Sequence, residues 1–129
     1  MMIKKIKAIR GATGAENTKA SITENVCALC NELFRVNKLK QKDLVSIQFS
    51  VTDDIDELNP CTALRLSLAD GKLIFDSTKV ALFCTQEAKI KNYLPKMIRV
   101  MITAYSNKPV KNVYINGAEK LRPDLAGKN

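Results

Sequence analysis

Between Leu44 and Val51 the apolar side chains fall on every second residue: Val45, Ile47, Phe49 and Val51. That period puts them on one face of a strand and leaves the other face polar. Ile98 to Ala104 repeats it, with Ile98, Val100 and Ile102 on one face and Arg99 turned to the other. Thr18 to Val36 runs on a different period. Its apolar positions, Ile22, Val26, Leu29, Cys30, Leu33 and Phe34, share one side of a helix. A chain that mixes these two periods must bury a one-faced sheet under helices.

The remaining segments fill in an order. Met2 to Arg10 alternates Ile with Lys and reads as a first strand, irregular around Lys4–Lys5, before Gly11 permits a turn. Thr18 or Ser21 can cap the first helix, and Ser21-Ile22-Thr23-Glu24 has the capping-box form. Thr52 to Leu58 is an acidic loop. Asn59-Pro60 then starts a second helix, which runs to about Ala69 and ends at Asp70-Gly71. Lys79 to Thr85 is a third strand, with room for a short one before it at Leu73–Phe75. A loop over Glu87 to Pro95 leads to the Ile98 strand, and Lys111 to Ile115 is a fifth strand before a polar tail from Gly117 to Asn129. The expectation is an α+β chain, one domain over residues 1–129, with a mixed five-stranded sheet and its helices on one face. The uncovered face favours a closed homo-oligomer.

Composition excludes several chemistries. With no histidine, serine-histidine and cysteine-histidine nucleophiles are ruled out, as are histidine metal sites. No apolar run approaches the roughly 18–20 residues that span a bilayer, and the Lys-studded N-terminus is not an export signal, so the expected location is the cytoplasm. Cys27, Cys30, Cys61 and Cys84 are then expected to be free thiols. The Cys27-x-x-Cys30 spacing sits on the apolar stripe of a helix, where Cys packs as a small hydrophobe. The net charge of +8 favours anionic partners. Of the 21 basic residues only five are Arg, and these are the informative ones, because Arg grips a carboxylate through two parallel hydrogen bonds.

Several polar side chains fall at strand ends or on strand faces. Arg10 ends the first strand and Glu87 follows the third; Arg99 and Tyr114 project from the fourth and fifth. Arg65 lies on the second helix and Arg122 in the tail. Each alone is compatible with an ordinary surface or packing role. Arg99 is the exception, since it interrupts an apolar strand. Taken together they support an anion site with one acid.

Short runs along nearly the whole chain resemble one family. Ile9-Arg10-Gly11-Ala12-Thr13, followed by Glu16-Asn17-Thr18, is similar to the opening of AroH-type chorismate mutases. Cys84-Thr85-Gln86-Glu87 resembles that family's Cys-x-Gln-Glu, and Leu94-Pro95-Lys96-Met97-Ile98-Arg99-Val100 its Leu-Pro-x-Cys-Ile-Arg-Val. Val113-Tyr114 and Leu121-Arg122-Pro123-Asp124-Leu125 resemble its last strand and tail. The resemblance implies a chorismate-mutase-like fold (a ferredoxin-like, pseudo-barrel trimer) with sites between subunits. It implies the rearrangement of chorismate to prephenate in aromatic amino-acid biosynthesis, with no cofactor and no metal. The partners implied are the dicarboxylate substrate and two further copies of the chain, and neither nucleic acid nor membrane.

By the same resemblance Arg99 faces the substrate's ether oxygen. Arg10 holds a carboxylate with help from Tyr114, and Glu87 binds the ring hydroxyl. Cys84 lines the pocket, while Arg65, Leu121 and Arg122 cover its mouth. Asn59 stands at the pocket edge where the family usually has an aromatic residue, and Thr62 where a Lys is common. Three alternatives weigh against this reading: a RidA-like imine deaminase, whose loop pattern does not supply Cys84-x-x-Glu87 and which would leave Arg10 without a role; a non-catalytic basic nucleic-acid-binding module, which the 5% aromatic content disfavours; and a family member that has lost activity, for which the departures at Asn59 and Thr62 speak.

Overall fold

A computed structural model describes residues 3–125. The chain runs β1 (Lys5–Gly14), α1 (Lys19–Val36), β2 (Leu44–Val51), α2 (Pro60–Ser67), β3 (Ala81–Gln86), β4 (Met97–Ser106) and β5 (Val113–Ile115), with short 3-10 turns at Gln41–Asp43, Ser77–Lys79 and Ala118–Leu121. The five strands form one mixed sheet in the order β3-β2-β4-β1-β5. β4 pairs antiparallel with β1 and β2, while β5 lies parallel to β1 and β3 parallel to β2. Both helices pack on one face, against Ile9, Ile47, Phe49, Ile98, Val100 and Ile102. The expected α+β architecture with helices on one side is therefore the one observed. Among the described residues no helix is long and apolar enough to cross a membrane.

Local chemistry sets the helix ends. Thr18, not Ser21, caps α1: its Oγ1 accepts the Ser21 N–H at 3.1 Å. Asn59 caps α2 by accepting the Cys61 N–H at 2.8 Å, with Pro60 following as the first helical residue. At the far end of α1, buried Asn37 donates to the carbonyls of Leu33 and Lys111 and accepts the Lys111 N–H at 2.8 Å. That side chain fastens the lead-in to β5 onto the helix.

Four expectations are corrected. The chain does not turn at Gly11; β1 continues to Gly14, paired with β4 on one side and β5 on the other. Glycine is needed there for closeness, not for a turn. A Cβ on Gly11 would stand 2.8 Å from the Val113 carbonyl oxygen and 2.9 Å from Leu33 Cδ1, so α1 can rest directly on the strand. Val45 does not share the buried face of Ile47 and Phe49. A bulge between Leu44 and Ser46 turns it out, and Leu44 packs inward instead. Leu73–Phe75 is not a strand; Leu73 and Phe75 are buried in an irregular segment where Phe75 stacks on Phe34 at 4.9 Å. Finally, α2 stops at Ser67, and the turn that follows reverses at Gly71 with φ of 72°.

Candidate active site

The face of the sheet away from the helices carries the polar side chains. Strand register arranges them in rows. One row runs Thr85, Ser50, Arg99, Ala12, Tyr114, and the next runs Phe83, Gln48, Met101, Arg10. Together with Glu87 these line an open depression of about 400 Å³. Three of the predicted residues, Arg10, Glu87 and Arg99, are thus brought together, and Tyr114 stands at the same depression.

The centre of the site is Arg99 beside Glu87. Arg99 Nε lies 3.0 Å from Glu87 Oε2. The contact is a charge contact and not a hydrogen bond, because the Nε–H is buried without an acceptor in line. Glu87 Oε1 accepts the Ser50 hydroxyl at 2.5 Å, and the Glu87 N–H donates to the Val51 carbonyl at 2.7 Å. Ser50 was not foreseen from sequence, nor were Gln48, Phe83, Thr85 and Met101. Period-two alternation places all five opposite the buried face, but only the strand order shows which of them meet Arg99.

The neighbouring loops hold this centre in place. Thr52 and Asp54 clamp the start of β4: the Met97 N–H donates to Thr52 Oγ1 at 3.0 Å, and the Lys96 N–H to Asp54 at 3.0 Å. The loop after Glu87 is tied back through Asp53, which accepts the Tyr93 hydroxyl at 3.2 Å and pairs with Lys89 at 3.2 Å. The Lys89 hydrogen bond, against an opposing push from burial and with help from Tyr93, holds the Asp53 carboxyl below the usual carboxylate range. A lowered folded-state pKa stabilises above the unfolded value of about 3.9 and is lost as pH falls through the folded value. The protection factors of amides in residues 88–93 are therefore expected to fall below about pH 4, while the core of β4 stays protected; uniform protection to lower pH would show that this tie is inert.

The other predicted residues lie elsewhere. Cys84 does not face the depression. On β3 it alternates with Phe83 and Thr85, so its thiol turns to the helix side and packs on the core. Burial, and then the Cys61 thiol nearby, push its pKa up to about 11. Burial likewise raises Cys27, Cys30 and Cys61; all four cysteines are free thiols. Asn59, Thr62 and Arg65 sit on or beside α2, outside the depression, with Arg65 Nη2 3.4 Å from Thr62 Oγ1. Leu121 packs with Ala12, Met97, Tyr114 and Ala118 in a small second core at the β5 edge of the open face. Arg122 makes a paired contact with Asp124, 2.7 Å at the shorter bond.

Comparison with known proteins agrees with this geometry. Residues 6–125 match the family described as Chorismate mutase type I. The chain is 32% identical over 125 residues to chorismate mutase AroH of Bacillus subtilis, covering 94% of this chain and 93% of the relative. It is 29% identical to chorismate mutase AroH of Thermus thermophilus, covering 93% and 96%. A solved chorismate mutase from Clostridium thermocellum superposes with a TM-score of 0.77 at 36% identity, over 88% of this chain and 98% of that one. None of these is named as an imine deaminase or a nucleic-acid-binding protein. A one-faced mixed sheet, an arginine–glutamate centre on its open side and relatives matched over nearly their full length place this chain in the chorismate mutase type I family.

Proposed function

We propose that the chain catalyses the rearrangement of chorismate to prephenate on the open face of its sheet, with Arg99, Glu87 and Arg10 as the reacting centre. The observation that carries this reading is the meeting of those three residues and Tyr114 in one depression. The reaction is a single intramolecular step that needs no proton relay, which suits a chain without histidine. As the substrate's C–O bond breaks, negative charge grows on the ether oxygen. A fixed guanidinium beside that atom stabilises the transition state more than the ground state. Arg99 is that group. Arg10 and Tyr114 hold a carboxylate, and Glu87 takes the ring hydroxyl and balances charge developing on the ring. Confining the flexible substrate to its compact reactive form supplies the rest of the acceleration.

The working unit in this reading is a cytoplasmic homotrimer. Two features support the association of copies. The open face exposes Ile6, Phe83, Met101 and Tyr105, an apolar surface that a neighbouring copy would bury. Asn59, Thr62 and Arg65 lie away from Arg99 within one chain, and a neighbour's α2 can bring them to the depression's rim. Arg122 and Leu121 close it from the tail.

Purified protein mixed with chorismate is expected to consume it with saturation and to yield prephenate, and light scattering is expected to give a trimer's mass. Unchanged chorismate would end the functional reading, and a monomer would end the shared-site part of it.

A further inference from the structure

Three arginine–carboxylate pairs in this chain can be compared. Arg35 closes its fork on Glu32, with Nε and Nη2 donating at 3.0 and 2.8 Å. Arg122 does the same with Asp124, at 3.0 and 2.7 Å. This is the usual preference of guanidinium for carboxylate. Arg99 and Glu87 are as close, yet their fork stays open: Nε lies 3.0 Å from Oε2, and its N–H has no acceptor. At this pair a third group, Ser50, is also present. Its hydroxyl donates to Glu87 Oε1 at 2.5 Å, and register sets Ser50 directly beside Arg99 on the adjoining strand. The bond from the Glu87 N–H to the Val51 carbonyl, at 2.7 Å, keeps the acid within reach of that hydroxyl.

We propose that Ser50 is a positioning residue: it holds Glu87 beside Arg99 without letting the acid close on the guanidinium, so that Arg99's terminal nitrogens stay open to the anionic substrate. This rests on the functional reading above and adds a residue to it. A carboxylate free to choose would pair with both guanidinium nitrogens and occupy the donors that the transition state needs. The serine competes for one oxygen and prevents that.

The test uses Ser50→Ala, Ser50→Thr, Glu87→Gln and the Ser50→Ala/Glu87→Gln double variant in the full chain. Ser50→Ala is expected to lower kcat about 10- to 100-fold, the span of one hydrogen bond to a charged group, with a smaller change in KM. Ser50→Thr keeps the hydroxyl and is expected to recover most of the loss. In the Glu87→Gln background Ser50→Ala is expected to add less than about twofold, because a neutral amide does not close on Arg99 as an ion pair. A serine that merely supports the strand would cost the same in both backgrounds. The Arg99 Nε–H signal in nitrogen-15 NMR gives a second readout, which needs no turnover. It is expected to exchange more slowly with water in Ser50→Ala, where Glu87 becomes its acceptor. Wild-type kcat in Ser50→Ala, equal losses in both backgrounds, or an unchanged Nε–H signal would overturn the inference. If chorismate proves not to be a substrate, the functional reading falls, and the NMR signal still decides whether Ser50 holds the fork open.

Discussion

Replacing Arg99 with alanine is expected to lower kcat about 10²- to 10³-fold, the usual cost of removing one fixed donor from a developing oxyanion. The loss should fall on kcat more than on KM, because the charge that Arg99 meets exists mainly in the transition state. Arg99→Lys should recover little. Lysine keeps the charge but replaces a planar fork with a single rotating ammonium, which does not match the same geometry. Arg99 is half exposed and Glu87 less so, so the variant should fold, and a thermal melt near wild type would confirm that the loss is chemical. Near-wild-type turnover in folded Arg99→Ala protein would sink the electrostatic mechanism.

The largest effect on stability is expected from Leu33→Ala. Leu33 is fully buried, at 0% exposure, and its Cδ1 lies where only a glycine can sit on β1. Truncation removes apolar contact and leaves a cavity that Gly11 has no side chain to fill, so the site collapses poorly. Substitutions of this kind cost about 2–5 kcal/mol. For a chain of this size that corresponds to a fall of roughly 10–20 °C in Tm. Turnover by the protein that remains folded at low temperature should stay near wild type, since Arg10 is held in β1 by pairing with β4, opposite Met101. A midpoint in urea within error of wild type would show that α1 does not bear on β1 as the distances imply.

Much of the fold could be read locally. Alternation placed β2 and β4, and the helical period placed α1 to within a residue of its observed start. Asn59-Pro60 gave the start of α2 because a cap and a first-turn proline act through their own neighbours. The failures have a common cause. Gly11 looked like a turn because glycine permits one; the close approach of α1 and β5 is what requires it there. Val45 matched the period of its strand, yet one inserted residue in the pairing with β4 turned it outward. Leu73 to Phe75 was apolar enough for a strand and found its burial against Phe34 instead.

The same division runs through the site. By itself the sequence determined which side chains the chemistry can use. It supplied few arginines, no histidine and one acid after β3, and it turned Arg99 away from the buried face. Those properties follow from composition and from the two-residue period of a strand. Only the tertiary structure decided which of them meet. It set Ser50 and Ala12 on either side of Arg99, brought Glu87 onto Ser50, and turned Cys84 to the helices. Strand order and register arise from pairing between segments far apart in sequence, and the local period that gives each strand its faces is the same for every register that keeps those faces.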